Sequence, residues 1–168
     1  FFNMSDLDDK ACCRQFPEML TTSYMQIALT EARAAAASGE VPVGAVVINP
    51  VRGEILAQAS NRVEELGDPT AHAEIIAIRL ATANAGQSRL VGCDLYVTLE
   101  PCPMCAAAIS LARFRRLYFG AYDSKGGGVE HGPRIFQHTG CNHKPEIIGG
   151  MNEKESGKLL ARFFHTLR

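Results

Sequence analysis

The stretch DLYVTLEPCPMCAAAISLARFRRLYFGAY, residues 94–122, constrains the fold more than any other in this chain. DLYVTL is an apolar run of strand length. The two prolines behind it suit a first helical turn, and the alanine-rich continuation favours helix. RRLYFGAY then reads as a further strand. Cys102 and Cys105 therefore fall at a strand-to-helix junction. On their own they are open to three readings: metal ligands, a redox dithiol, or small core residues.

The remaining pattern supplies partners for this unit. Ser23 and Gln26 have the spacing of a capping box ahead of an Ala-rich helix, with Gly39 as its stop. GAVVIN, the turn NPVRGE and EILAQAS read as an antiparallel hairpin. A second helix is expected from about His72 to Ala85, with Ile75, Ile76, Ile78 and Leu80 on a wide buried stripe and Gly86 after it. DSKGGGVEHG is a glycine-rich loop and PEIIGG a short strand. NEKESGKLLARFFHTL is an amphipathic helix capped by Asn152 or a neighbour. A hairpin followed by alternating strands and helices implies an α/β fold of three layers, α/β/α, around a mixed sheet of about five strands.

At 168 residues and 46% hydrophobic content the chain suffices for one substantial core. Residues 1–22 lack periodicity and are expected to be an N-terminal extension outside a domain spanning 23–168, with Met19 or Met25 as candidate starts. Six cysteines are too sparse for a disulfide scaffold. With no secretory signal and no apolar run of membrane-spanning length, a cytoplasmic location and no membrane partner are expected. Net charge is −1, but residues 1–110 hold 7 Lys/Arg against 13 Asp/Glu, net −6. Residues 111–168 hold 10 against 5, net +5, with four of the five histidines. That basic third suits phosphate, although scattered solvated charge is the plainer reading.

Company narrows the choice for the cysteines. TAHAEIIAIR puts His72 and Glu74 at the start of another expected helix, and the two segments together read H-x-E, then P-C-x-x-C, the arrangement of zinc nucleobase deaminases. One imidazole and two thiolates give zinc three ligands and leave its fourth position open, as in a catalytic site. Helix N-termini favour thiolates. Glu74 is the carboxylate for proton transfer. One geometric difficulty remains: residues i and i+2 of a regular helix point about 200° apart, so His72 must sit at or before the first turn. Taken singly, His72 reads as a cap and Glu74 as a first-turn carboxylate, but all four in this order are poorly explained that way.

The chain resembles the bacterial tRNA adenosine deaminases, of the cytidine-deaminase-like superfamily, from about Tyr24 onward. EVPVGAVV, the Asn61–Arg62 pair, HAEIIAIR, YVTLEPCPMCAAAI, RRLYFGAYDSKGG, NHKPEI and LLARFF carry the likeness. The resemblance implies hydrolytic conversion of the wobble adenosine (position 34) of a tRNA, by analogy an arginine tRNA with an ACG anticodon, to inosine. It implies one Zn²⁺ on His72, Cys102 and Cys105, Glu74 as proton shuttle, and Asn61 as the amide that meets the nucleoside. Val43, Ala73 and Pro101 would enclose the flipped base. Asp123, Lys125, Asn142, His143, Phe163 and Phe164 fall in blocks that hold the flanking anticodon-loop nucleotides, and one of the two phenylalanines is expected to pack in the core. A homodimer is implied as well. The motif departs from the family at Ala107, where Gly is frequent, and at Cys141, where Met is. Cys93 reads as a core residue. Rival readings are a deaminase of free guanine, cytosine or a nucleoside, a noncatalytic zinc-stabilised RNA-binding module, and dithiol redox chemistry.

Overall fold

The computed structural model describes residues 24–166; the expected extension over 1–22, the Cys12–Cys13 pair and the Ser23 cap lie outside them. The elements run in the order α1 (24–37), β1 (Gly44–Asn49), β2 (Glu54–Ser60), α2 (Val63–Leu66), α3 (Ala73–Ala85), β3 (Asp94–Leu99), α4 (Pro103–Ala112), β4 (Arg116–Ala121), a 3₁₀ turn (Ile135–Gln137), β5 (Glu146–Ile148) and α5 (Glu153–Thr166). The sheet order is β2-β1-β3-β4-β5. The β1 strand pairs antiparallel with β2 and β3, while β3–β4 and β4–β5 are parallel. This is the expected five-stranded mixed sheet. The one-turn helix α2 is an addition to the expected elements, too short to leave a periodic signal.

The three central strands are buried on both faces, and their side chains alternate between two cores. Ala45, Val47, Leu95, Val97, Leu117 and Phe119 join α3 and α4 on one side. On the other, Val46, Ile48, Tyr96 and Tyr118 meet Met25, Ala28 and Leu29 of α1. Tyr96 and Tyr118 stack there with centroids 4.3 Å apart. Helix α5 lies on this second side against β4 and β3, joined to α1 by Glu155, which accepts from Gln26 and Arg33. Gly44 lets α1 approach: a Cβ there would collide with the Ala28 carbonyl oxygen.

Two sequence expectations about helix faces need correction. The buried stripe of α3 is Ala73, Ala77 and Ala81, together with Glu74. Ile75, Ile76 and Ile78 are only partly covered, and Leu80 is 44% exposed. The helix lies so close to the sheet that its contact line accepts only methyl groups, and the larger side chains flank it. Helix α5 begins where the backbone carbonyl of Asn152 accepts from the N–H groups of Glu155 and Ser156, but Asn152 has φ +56 and its side-chain amide donates to Glu155. Asn152 is therefore no side-chain N-cap.

Because β1 opposes its neighbours, the C-terminal ends of β2, β3 and β4 and the N-terminal end of β1 share one edge of the sheet. Gly44 N–H donates to Thr98 Oγ1 at that edge. The N-termini of α3 and α4 converge on it, the place where open α/β sheets bind ligands.

Candidate active site

His72 is the N-cap residue of α3, with extended backbone (φ −70, ψ 150), and Glu74 lies in the first turn. The chain thus escapes the helical repeat at His72, so the 200° separation never applies. Cys102 is the corresponding N-cap of α4 (φ −67, ψ 169), followed by Pro103 at the first helical position, and Cys105 sits in the first turn. His72 Nδ1 lies 3.6 Å from Cys102 Sγ and 3.5 Å from Cys105 Sγ. The three ligand atoms lie within 4.8 Å of one another.

These distances test the donor set. Tetrahedral bonds of about 2.0–2.1 Å to nitrogen and about 2.3 Å to sulfur separate N from S by about 3.5 Å. The pocket is therefore already the size of a zinc site. Hydrogen bonds, first from Cys105 and then from His72, pull the Cys102 thiol down to about 4. The Cys105 thiol is pushed up by its bond to Cys102 and by burial, and the bond to Cys102 raises His72. A metal bound among these groups would displace the protons that they otherwise share. Cys102 and Cys105 show no disulfide.

Glu74 is 4% exposed, and burial pushes its carboxyl up to about 7. A dication beside it would act in the opposite sense. A cavity of about 630 Å³ opens over this cluster, bounded among others by Val43, Asn61, His72, Glu74 and Cys102. Asn61, 6% exposed, donates through Nδ2 to Glu40 at 3.1 Å. Ala73 and Pro101 are buried immediately beside ligand positions and do not bound the cavity.

The flanking candidates divide. Asp123, Phe163 and Phe164 bound the mouth, and Asp123 Oδ1 also accepts from the N–H groups of Lys125 and Gly126. The phenylalanines meet edge to face at 5.4 Å, with Phe164 50% exposed and neither in the core. The expected core phenylalanine is thus corrected: Ser156 is the buried residue of α5, so its last turns project past the sheet. Lys125 is exposed nearby. Asn142 instead borders a second cavity of about 320 Å³ with Arg89, Arg113 and His138, and His143 Nε2 lies 2.5 Å from the Phe114 carbonyl oxygen. Cys93 is buried, as expected.

Two buried carboxylates at the site carry no motif in the sequence. Glu40 backs Asn61. Glu100, 2% exposed, accepts from the N–H groups of Asp123, Val129, Glu130 and His131 and pairs with His131 Nδ1 at 2.7 Å. Those bonds hold the Gly-rich loop against α4, where a Cβ on Gly128 would stand 2.6 Å from Pro103 N. The signal available was a glutamate embedded in an apolar, proline-bearing run, in EVPVG and in TLEPC.

The family described as the cytidine and deoxycytidylate deaminase zinc-binding region matches residues 19–121. A tRNA-specific adenosine deaminase of Agrobacterium fabrum is 54% identical over 88% of this chain and 95% of its own length. One of Bacillus subtilis is 45% identical over 86% of this chain and 89% of its own length. A solved structure from work on A-to-I editing by tRNA:A34 deaminases at the wobble position of transfer RNA superposes with TM-score 0.80. It is 55% identical, over 83% of this chain and 99% of that one.

Proposed function

This chain belongs to the family of tRNA-specific adenosine deaminases, and from that membership we propose that it converts adenosine 34 of an arginine tRNA with an ACG anticodon to inosine, releasing ammonia. The observation that carries the residue assignment is the clustering of His72, Cys102 and Cys105 at the floor of a cavity that His72, Cys102, Glu74 and Asn61 line.

In this reading His72, Cys102 and Cys105 hold one zinc ion. When bound, zinc supplies Lewis acidity that brings a water's pKa towards neutrality. Glu74 takes a proton from the water that attacks C6 and delivers it to the purine ring nitrogen; it then takes the remaining proton of that oxygen and passes it to the amine, so that the C6 carbonyl forms, the C6–N6 bond breaks and ammonia leaves. The burial of Glu74 supports that work by raising the carboxyl's affinity for a proton, which offsets the opposing pull of a neighbouring dication. Asn61 holds the nucleoside edge and Val43 lines the wall that receives the flipped base, while Ala73 and Pro101, buried behind the ligand positions, support that wall from outside the cavity. Unstacking costs less in a single-stranded anticodon loop than in a duplex. Phe163 and Phe164 at the mouth offer aromatic faces for the neighbouring bases, and Asp123 and Lys125 offer polar contacts. Asn142 and His143 would meet the RNA away from this mouth, beside the second cavity, where the Arg113 side chain donates to the Asn142 carbonyl.

A homodimer in the cytoplasm completes the proposal. Leu80 and Leu111, 44% and 76% exposed on the helices of one layer, support such an interface. No helix among the described residues is long and apolar enough to cross a membrane. The decisive experiment incubates the purified protein with an ACG anticodon stem-loop and digests the RNA to nucleosides. Inosine at the wobble position is expected. Ammonia release from guanine or cytosine with the stem-loop unchanged would overturn the assignment.

A further inference from the structure

Asn61 is an amide with an ambiguous edge: nitrogen and oxygen are nearly equal in size, and exchanging them reverses what the group offers a ligand. Its surroundings remove the ambiguity. Nδ2 faces Glu40 Oε2 at 3.1 Å, and only the NH₂ end can bond an acceptor there. The other carboxylate oxygen, Oε1, accepts the backbone N–H of Glu65 at 2.9 Å, so Glu40 cannot turn away without abandoning a second donor. At 2% exposure, Glu40 has little water to compensate either loss. The Asn61 backbone is pinned separately by its N–H bond to the Val43 carbonyl, 3.0 Å.

One group is left over. Among the described residues, Asn61 Oδ1 accepts no hydrogen bond from the chain, although the residue is 6% exposed and borders the cavity. Ser156 Oγ is the one fully buried, unpartnered side-chain atom among the described residues, so Oδ1 keeps some exposure, and the cavity that Asn61 lines is where a donor can reach it.

We propose that Glu40 is a positioning residue: it fixes the polarity of the Asn61 amide, so that Oδ1 meets an N–H or O–H donor of the substrate nucleoside and the flipped amide is excluded. This rests on the reading of Asn61 as a substrate contact. A purely structural Glu40, joining the end of α1 to α2 through Glu65, makes a different prediction, because its effect would not depend on what occupies position 61.

The experiment measures kcat and KM on the stem-loop, zinc content and Tm for the parent chain, Asn61→Ala, Glu40→Gln, their double variant, Asn61→Asp, and Glu40→Gln with Asn61→Asp. Glu40→Gln, whose own amide can present either end to Asn61, is expected to lower kcat/KM about tenfold, with zinc retained. In the Asn61→Ala background the same change is expected to cost less than about twofold, because the group it positions is gone. Asn61→Asp sets two carboxylates against each other and loses more than Glu40→Gln. Adding Glu40→Gln to it is expected to recover about tenfold, since the amide introduced at position 40 then donates to the carboxylate introduced at position 61, and an acceptor again faces the cavity. Equal losses from Glu40→Gln with and without Asn61, no recovery in the swapped pair, or an unfolded Glu40→Gln protein would overturn the role of Glu40 alone. Undiminished turnover in Asn61→Ala would overturn the substrate contact as well, and with it the proposal.

Discussion

Glu74 and Glu100 are both buried carboxylates near the proposed zinc ligands, yet they meet opposite surroundings. Burial dominates at Glu74 and raises it to about 7. At Glu100 burial also pushes upward, but the N–H groups of Asp123 and its neighbours, with His131, outweigh it and hold the carboxyl below its usual range. The first suits the proton exchange proposed for it; the second is an acceptor that anchors a loop. Two different outcomes follow. Glu74→Gln is expected to keep about one zinc per chain by metal analysis while turnover drops at least about 10²-fold, the lower end of what general acid–base catalysis contributes. Glu100→Gln puts an NH₂ group among N–H donors and is expected to cost about 1–3 kcal/mol in urea unfolding, with faster amide hydrogen exchange across 123–131. The grouping of His72, Cys102 and Cys105, with Glu74 beside it, was legible from residue type and spacing. Glu40 and Glu100 were not, because what distinguishes them is the set of donors that distant segments bring to each carboxylate.

At the scale of elements, hydrophobic periodicity locates α1, α3, α4, α5 and all five strands, but it misjudges which side of α3 faces inward. Periodicity weights large apolar residues, whereas the distance between helix and sheet decides whether a leucine or an alanine fits the contact line. The same close approach leaves its mark on α5. Ser156 is 1% exposed with its hydroxyl unpartnered, and a Cβ on Gly120 would collide with that hydroxyl oxygen. Ser156→Ala removes an unsatisfied buried group while losing no hydrogen bond within the described residues. It is expected to raise stability by about 1 kcal/mol, or about 2–4 °C in Tm for a chain of this size, with deamination unaffected. A lowered Tm would mean that the hydroxyl has a partner.

Across the whole molecule the proposed zinc site ties the N-termini of α3 and α4, two helices that already pack in one core, so metal and fold are linked. Prolonged chelation is expected to abolish inosine formation and to lower Tm. Stoichiometric zinc should restore both, because a ligand that binds the folded state alone stabilises it by mass action. Activity that survives removal of all metal would refute hydrolysis through this site. The charge asymmetry also resolves at this scale. Arg115 and Arg116 are spent on Asp94 and Glu146, and Arg33 on Glu155. Lys125, Lys158 and Arg162 are among the cations with no salt bridge among the described residues, and the proposed contact with tRNA phosphate would draw on such groups.

The layers, the strand-to-helix junction and the candidates for the reactive side chains could be read from the sequence alone, because periodicity and motif spacing are local properties of a chain. Only the tertiary structure decided that His72 stands outside its helix, that alanines face the sheet, that both phenylalanines reach the mouth of the cavity, and which way Asn61 points. Each of these depends on distances between segments remote in sequence: the reach from α3 to α4, the gap between helix and sheet, and the carboxylate of Glu40 folded back onto Asn61.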